Sequence, residues 1–101
     1  MTLTSAGDAT GVLIDATLGL TATPNVTLNG HFYAIVWSVD SELVGTVLDQ
    51  EGTTNTLTGV SADDVVVTAE IKKVDYVNGV RTLVSFDTPI TDTITITVSA
   101  S

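Results

Sequence analysis

Apolar and polar residues alternate with a period of two over most of this chain, and no stretch of useful length follows the 3.6-residue period of an amphipathic helix. Between residues 12 and 23, Val12, Ile14, Ala16, Leu18, Leu20 and Ala22 fall on one side and Asp15, Thr17, Gly19, Thr21 and Thr23 on the other, which predicts a strand ended by Pro24. Residues 32–39 place Tyr33, Ile35, Trp37 and Val39 on one face, a central strand with a large aromatic anchor. Weaker strands are expected over 43–49 and 54–60, joined by a turn at Asp49–Gly52. Residues 64–77 form the longest run, with Val65, Val67, Ala69 and Ile71 facing inward.

Asn78-Gly79 then gives a strong hairpin signal, because a type I′ turn needs positive φ at both central positions. The chain is expected to reverse there, return over 80–86, break at Asp87-Thr88-Pro89 and finish over 93–98, where Ile94, Ile96 and Val98 alternate with threonines. About seven short strands with regular turn signals predict an all-β fold, an immunoglobulin-like sandwich of two antiparallel sheets with a protruding hairpin near residues 72–86. A jelly roll or small barrel is the structural alternative. Residues 1–11 are small and polar apart from Leu3 and read as a flexible N-terminal arm, leaving 12–101 as the sandwich.

Composition agrees with this pattern. At 101 residues, one domain is the default. The 44% hydrophobic content is mostly Val, Leu, Ile and Ala interleaved with 19 Thr, residues that pack well on a pleated surface. The absence of cysteine removes disulfides, thiolate metal sites and cysteine nucleophiles together. Twelve acids against three bases give a net charge of −9, which argues against nucleic acid or an anionic membrane as partner. The first eleven residues carry no secretion signal, so with Met1 as the start, synthesis in the cytoplasm is expected.

The order Leu20-Thr21-Ala22-Thr23, Trp37-Ser38-Val39, Gly45-Thr46-Val47, Val67-Thr68-Ala69 and Ile94-Thr95-Ile96-Thr97-Val98 resembles the bacterial immunoglobulin-like family, group 2, over roughly residues 16–98. That family supplies modules of surface adhesins and of tailed-phage structural proteins. The resemblance implies a binding or decorating module and no catalytic residues to carry over. The hairpin around Asn78-Gly79 and the polar N-terminal segment depart from the family pattern and are where a specific role is expected.

Few residues suit chemistry. The one histidine, His31, sits beside the Asn29-Gly30 turn without a supporting motif, so neither a Ser-His-Asp triad nor zinc is expected. Asp63-Asp64, Asp40 with Glu42, and Asp49 with Glu51 could offer oxygens to calcium, but none has the spacing of a calcium loop, and they read as acids that solvate loop ends. Trp37 reads as core, and Asn25-Val26-Thr27 as a glycosylation acceptor without a secretion route. No cofactor is expected.

The bases carry more information, because Lys72, Lys73 and Arg81 are all there are and all lie on the predicted hairpin. A two-residue turn pairs Tyr76 with Arg81 and Lys73 with Val84, so charge and aromatic area share one ribbon. The candidate partner-binding residues are therefore Lys72, Lys73, Tyr76 and Arg81, with Leu3 of the arm; neutralisation of Glu70, Asp75 and nearby loops is the plain alternative for the bases.

The expected function is that of a non-catalytic phage virion protein, a capsid decoration or cement protein that binds the major capsid protein lattice, with self-association into a homo-oligomer included. It would reside in the virion, assembled in the host cytoplasm. The alternative is a spacer or binding module of a bacterial surface adhesin, located at the cell surface. A carbohydrate-binding accessory domain is a third reading, and it needs an exposed aromatic platform that five aromatics hardly supply.

Overall fold

The computed structural model describes residues 1–25 and 32–100; the Asn29-Gly30 turn, His31 and most of the Asn25-Val26-Thr27 acceptor lie outside them. Among the described residues, eight strands form two sheets: β1 (Thr2–Ser5), β2 (Gly11–Leu13), β3 (Thr17–Thr23), β4 (Tyr33–Val39), β5 (Gly45–Val47), β6 (Thr54–Gly59), β7 (Asp63–Val77) and β8 (Val80–Ser99). One sheet has the order β1-β3-β6-β5 and the other β2-β8-β7-β4. With β1 and β2 taken as two halves of one first strand, this is the ABED and GFC order of an immunoglobulin-like sandwich. The inward rows read from the alternation meet in a single core that includes Leu18, Leu20, Ile35, Trp37, Leu57, Val67 and Ile96.

Three expectations change. The strand expected over 12–23 is not continuous, because the chain switches sheets at its middle, between β2 and β3. The Ile14 N–H still donates to Ser99 O of β8, whereas the next N–H, of Asp15, donates to Gly59 O of β6, each at 2.9 Å. Asp15 makes the change of direction in the left-handed region, at φ 64°. Alternation cannot reveal such a switch, since both halves keep the same side toward the core. The second sheet is also not purely antiparallel, because β2 runs parallel to the end of β8, with Val12 opposite Val98.

The third change concerns the N terminus. Thr2–Ser5 is not a loose arm but an edge strand, with Leu3 opposite Ala22 of β3, and Leu3 is a core residue with 7% of its surface exposed. Leu3 is thus unavailable as a partner-binding residue. Asp92 of β8 holds this strand in place: Oδ2 accepts from the Leu3 N–H at 2.7 Å while Oδ1 accepts from the Thr93 N–H at 2.9 Å. A half-buried carboxylate at this position occupies donors that a sheet edge would otherwise offer to another chain. Asp92→Ala leaves the part-buried Leu3 donor without this acceptor and is expected to lower stability by about 1–3 kcal/mol. Faster hydrogen exchange at Leu3 and Thr93, with the rest of the core unchanged, is the local signature to look for.

On the opposite side of the sandwich, the connection from β5 to β6 closes the free edge of β4. Buried Asn55 fixes it, accepting from the Asp49 and Thr56 N–H groups and donating to Asp49 O. The segment then hydrogen-bonds along β4: Trp37 N to Gln50 O at 2.9 Å, Gly52 N to Ile35 O at 3.0 Å, and Trp37 Nε1 to Gly52 O at 2.7 Å. Glu51 is thereby presented opposite Val36.

Candidate docking ribbon

Beyond the sandwich, β7 and β8 continue as a two-stranded ribbon. Asn78 and Gly79 take φ of 52° and 79°, the two left-handed residues of the expected turn. The expected register holds throughout: Val77 opposite Val80, Tyr76 opposite Arg81, Lys73 opposite Val84 and Lys72 opposite Ser85. Pairing then jumps to Ile71 opposite Ile90, so Phe86–Pro89 bulge out of β8. This is where Asp87-Thr88-Pro89 predicted a break, and Pro89 has no N–H to give to a ladder. The molecule measures 48 × 27 × 19 Å along its principal axes.

Alternation sorts the candidate residues onto two faces. Odd positions of β7 face the core, so Lys73 follows that side, with its Nζ 5.5 Å from the centre of the Phe86 ring. Lys72, Tyr76 and Arg81 lie on the other, outward face. Val74 and Leu83 pair across the strands on this face, and the Val74 N–H donates to Phe32 O at 2.9 Å, which adds Phe32 beside them. Phe32 is 81% exposed and Tyr76 67%. The outward face thus offers an aromatic and aliphatic surface flanked by cations, and of these side-chain types the aromatic ones and arginine are enriched in protein contacts.

Arg81 already has a partner. Its guanidinium makes a two-pronged contact with Glu51, Nη2 to Oε1 at 2.7 Å and Nη1 to Oε2 at 3.2 Å. Since Glu51 rides on the far edge of β4, this contact ties the ribbon to the sandwich. The neutralising alternative therefore holds for Arg81, though with Glu51 as its acid. Phe32, Val74 and Leu83 were absent from the residues chosen by sequence; the turn register already placed Val74 opposite Leu83, but no local signal ties Glu51 to an arginine 30 residues away.

The hydrogen bonds from Arg81, and secondarily its charge, hold the Glu51 carboxyl below its ordinary value, and Glu51 in turn raises Arg81. A carboxylate with a depressed folded-state pKa supports the folded arrangement above its ordinary value of 4.5, and that support is lost as pH falls through the lowered one. The tether is therefore expected to release only in acid below pH 4.5. In carboxyl NMR titration, Arg81→Ala should bring the Glu51 midpoint back up; a midpoint that does not move would show that the two-pronged contact is not populated in solution.

Comparison with protein-family models and with curated proteins gives no match.

At the pole opposite the ribbon, Asp40, Glu42, Asp63 and Asp64 surround the ends of β4 and β7 without a base. Three of these acids serve the local backbone and side chains: Asp40 Oδ1 accepts from the Val66 N–H, Asp63 Oδ1 from the Asp64 N–H, and Asp64 Oδ1 from Thr97 Oγ1. Among the described residues no group of three or more His, Asp or Glu side chains gathers as a metal site, and no helix is long and apolar enough to cross a membrane.

Proposed function

We propose that this protein is a non-catalytic structural component of a phage virion, a decoration protein that binds the capsid shell and stabilises it through many weak, repeated contacts. The observation that carries the reading is the ribbon. The sandwich projects a two-stranded arm whose outward face carries exposed Tyr76 with Lys72 and Arg81, and exposed Phe32 lies beside it, while most of the remaining surface charge is acidic. Such an arm supplies a contact to a neighbour while the sandwich keeps its own core, and repetition over a lattice turns modest affinity into firm attachment. The resemblance to group 2 bacterial immunoglobulin-like modules supports the same way of life.

Quantitative mass spectrometry of density-purified virus particles tests this reading. One copy per shell subunit, or a simple fraction of that, is expected. Reversing Lys72 and Lys73 to Glu, which leaves the Arg81–Glu51 contact in place, should preserve folding and deplete the protein from particles. Absence of the wild-type chain from particles overturns the reading and directs attention to an adhesin module on a bacterial surface.

A further inference from the structure

We infer that the neighbour met by the ribbon is a second copy of this chain, which receives it at the acidic pole, so that copies associate head to tail. The inference rests on reading the ribbon as a contact element and is independent of whether the lattice is a capsid.

The two ends of the molecule are complementary in both charge and apolar surface. At one end, exposed Phe32 and Tyr76 accompany Lys72 on the outward face of the ribbon, and exposed Val77 and Val80 accompany Lys73 on its other face. At the other, Leu43, 81% exposed, and Val60 stand beside Glu42, Asp63 and Asp64. Backbone bonds keep this second set together: the Val60 N–H donates to Val44 O at 2.8 Å, and Ser61 Oγ donates to Leu43 O at 2.6 Å. Single exposed apolar residues are ordinary, but apolar residues next to opposite charges at the two poles of one molecule form matching halves of a contact.

A net charge of −9 does not prevent this. Fields between exposed charges fade over about 8 Å at physiological salt, whereas Asp63 and Lys72 stand nine residues apart along β7, about 30 Å of strand. Each pole therefore meets its counterpart largely unaffected by the charge at its own far end. A contact between two different surfaces of identical chains is heterologous, so it propagates into an open string or closes into a ring.

The test is sedimentation velocity of the full chain over a range of concentrations, with two variants. Lys72→Glu with Lys73→Glu reverses the ribbon and leaves the Arg81–Glu51 contact in place. Glu42→Lys with Asp63→Lys reverses the acidic pole. The wild type should grow beyond its monomer mass of 10.4 kDa as concentration rises, and each variant alone should associate at least tenfold more weakly. Mixing the two variants should restore association, because each then offers the pole that the other lacks. The acidic-pole variant carries less net charge than the wild type, so weaker association there cannot come from general repulsion.

A wild type that stays monomeric throughout, or association that neither reversal weakens, overturns the inference. Variants that keep the wild-type unfolding midpoint exclude misfolding as the cause of a loss. The outcomes also separate the two proposals: association in solution without any copies on particles removes the decoration reading alone, and particle binding by a strictly monomeric chain removes the head-to-tail contact alone.

Discussion

Trp37→Ala is expected to lower the stability of the folded chain by about 3–5 kcal/mol, the usual range for removing a large aromatic ring from a core. Only 1% of the Trp37 surface is exposed, and the ring belongs to the cluster that joins the two sheets. Its Nε1 also donates to Gly52 O at 2.7 Å, so one side chain both fills the core and pins the segment that presents Glu51. For a chain of this size, each kcal/mol moves the thermal midpoint by roughly 4–8 °C, and the alanine variant should unfold at least about 12 °C below the wild type.

Trp37→Phe separates the two roles. It retains most of the packing and loses the hydrogen bond, a change of about 0.5–1.5 kcal/mol for that bond. Thermal unfolding followed by circular dichroism reads both variants. An alanine variant that melts with the wild type would mean that the ring does not occupy the core.

Gly59→Ala should also be strongly destabilising, and for the opposite reason. Gly59 ends β6 at the point where the chain crosses between sheets from β2 to β3, and a Cβ there would stand 2.6 Å from Leu13 O and 2.9 Å from Val98 Cγ1. The nearer atom is backbone, held by the pairing of Leu13 with Ser99, and cannot rotate aside. Overpacking a rigid site commonly lowers stability by about 1–3 kcal/mol, and a clash with backbone belongs at or above the top of that range. Gly7→Ala is a useful comparison, since nothing lies within 4 Å of a Cβ there, although φ 63° is unfavourable for alanine. Urea unfolding of both variants should show Gly59→Ala as clearly the weaker protein; equal midpoints would mean that the crossing relaxes freely.

The strands of the second sheet and the turn between its two longest members were legible because their determinants are local. A period of two identifies the buried side of β4, β7 and the end of β8, and Asn78-Gly79 allows one tight hairpin geometry, which sets the partner of every residue from Lys72 to Ser85. The basic residues could therefore be placed on a single ribbon, with Tyr76 opposite Arg81, before any fold was known.

What alternation could not show was which sheet a strand joins. Val12 to Ala22 keeps one inward row through Asp15, although its two halves pair with different sheets, because a sandwich core is the same core from either side. Thr2–Ser5 holds only one large apolar residue, too little for a pattern, and its place as β1 depends on β3 and on Asp92, 89 residues away from the Leu3 amide. The Arg81–Glu51 contact likewise joins residues that become neighbours only once the 50–52 segment has closed along β4. The amino-acid sequence by itself determined the all-β class, the inward faces and the hairpin register, since these follow from side-chain alternation and turn geometry. The tertiary structure alone decided the sheet switch, the burial of Leu3 and the tether that holds the ribbon, since these require segments far apart in the chain to share one edge or one core.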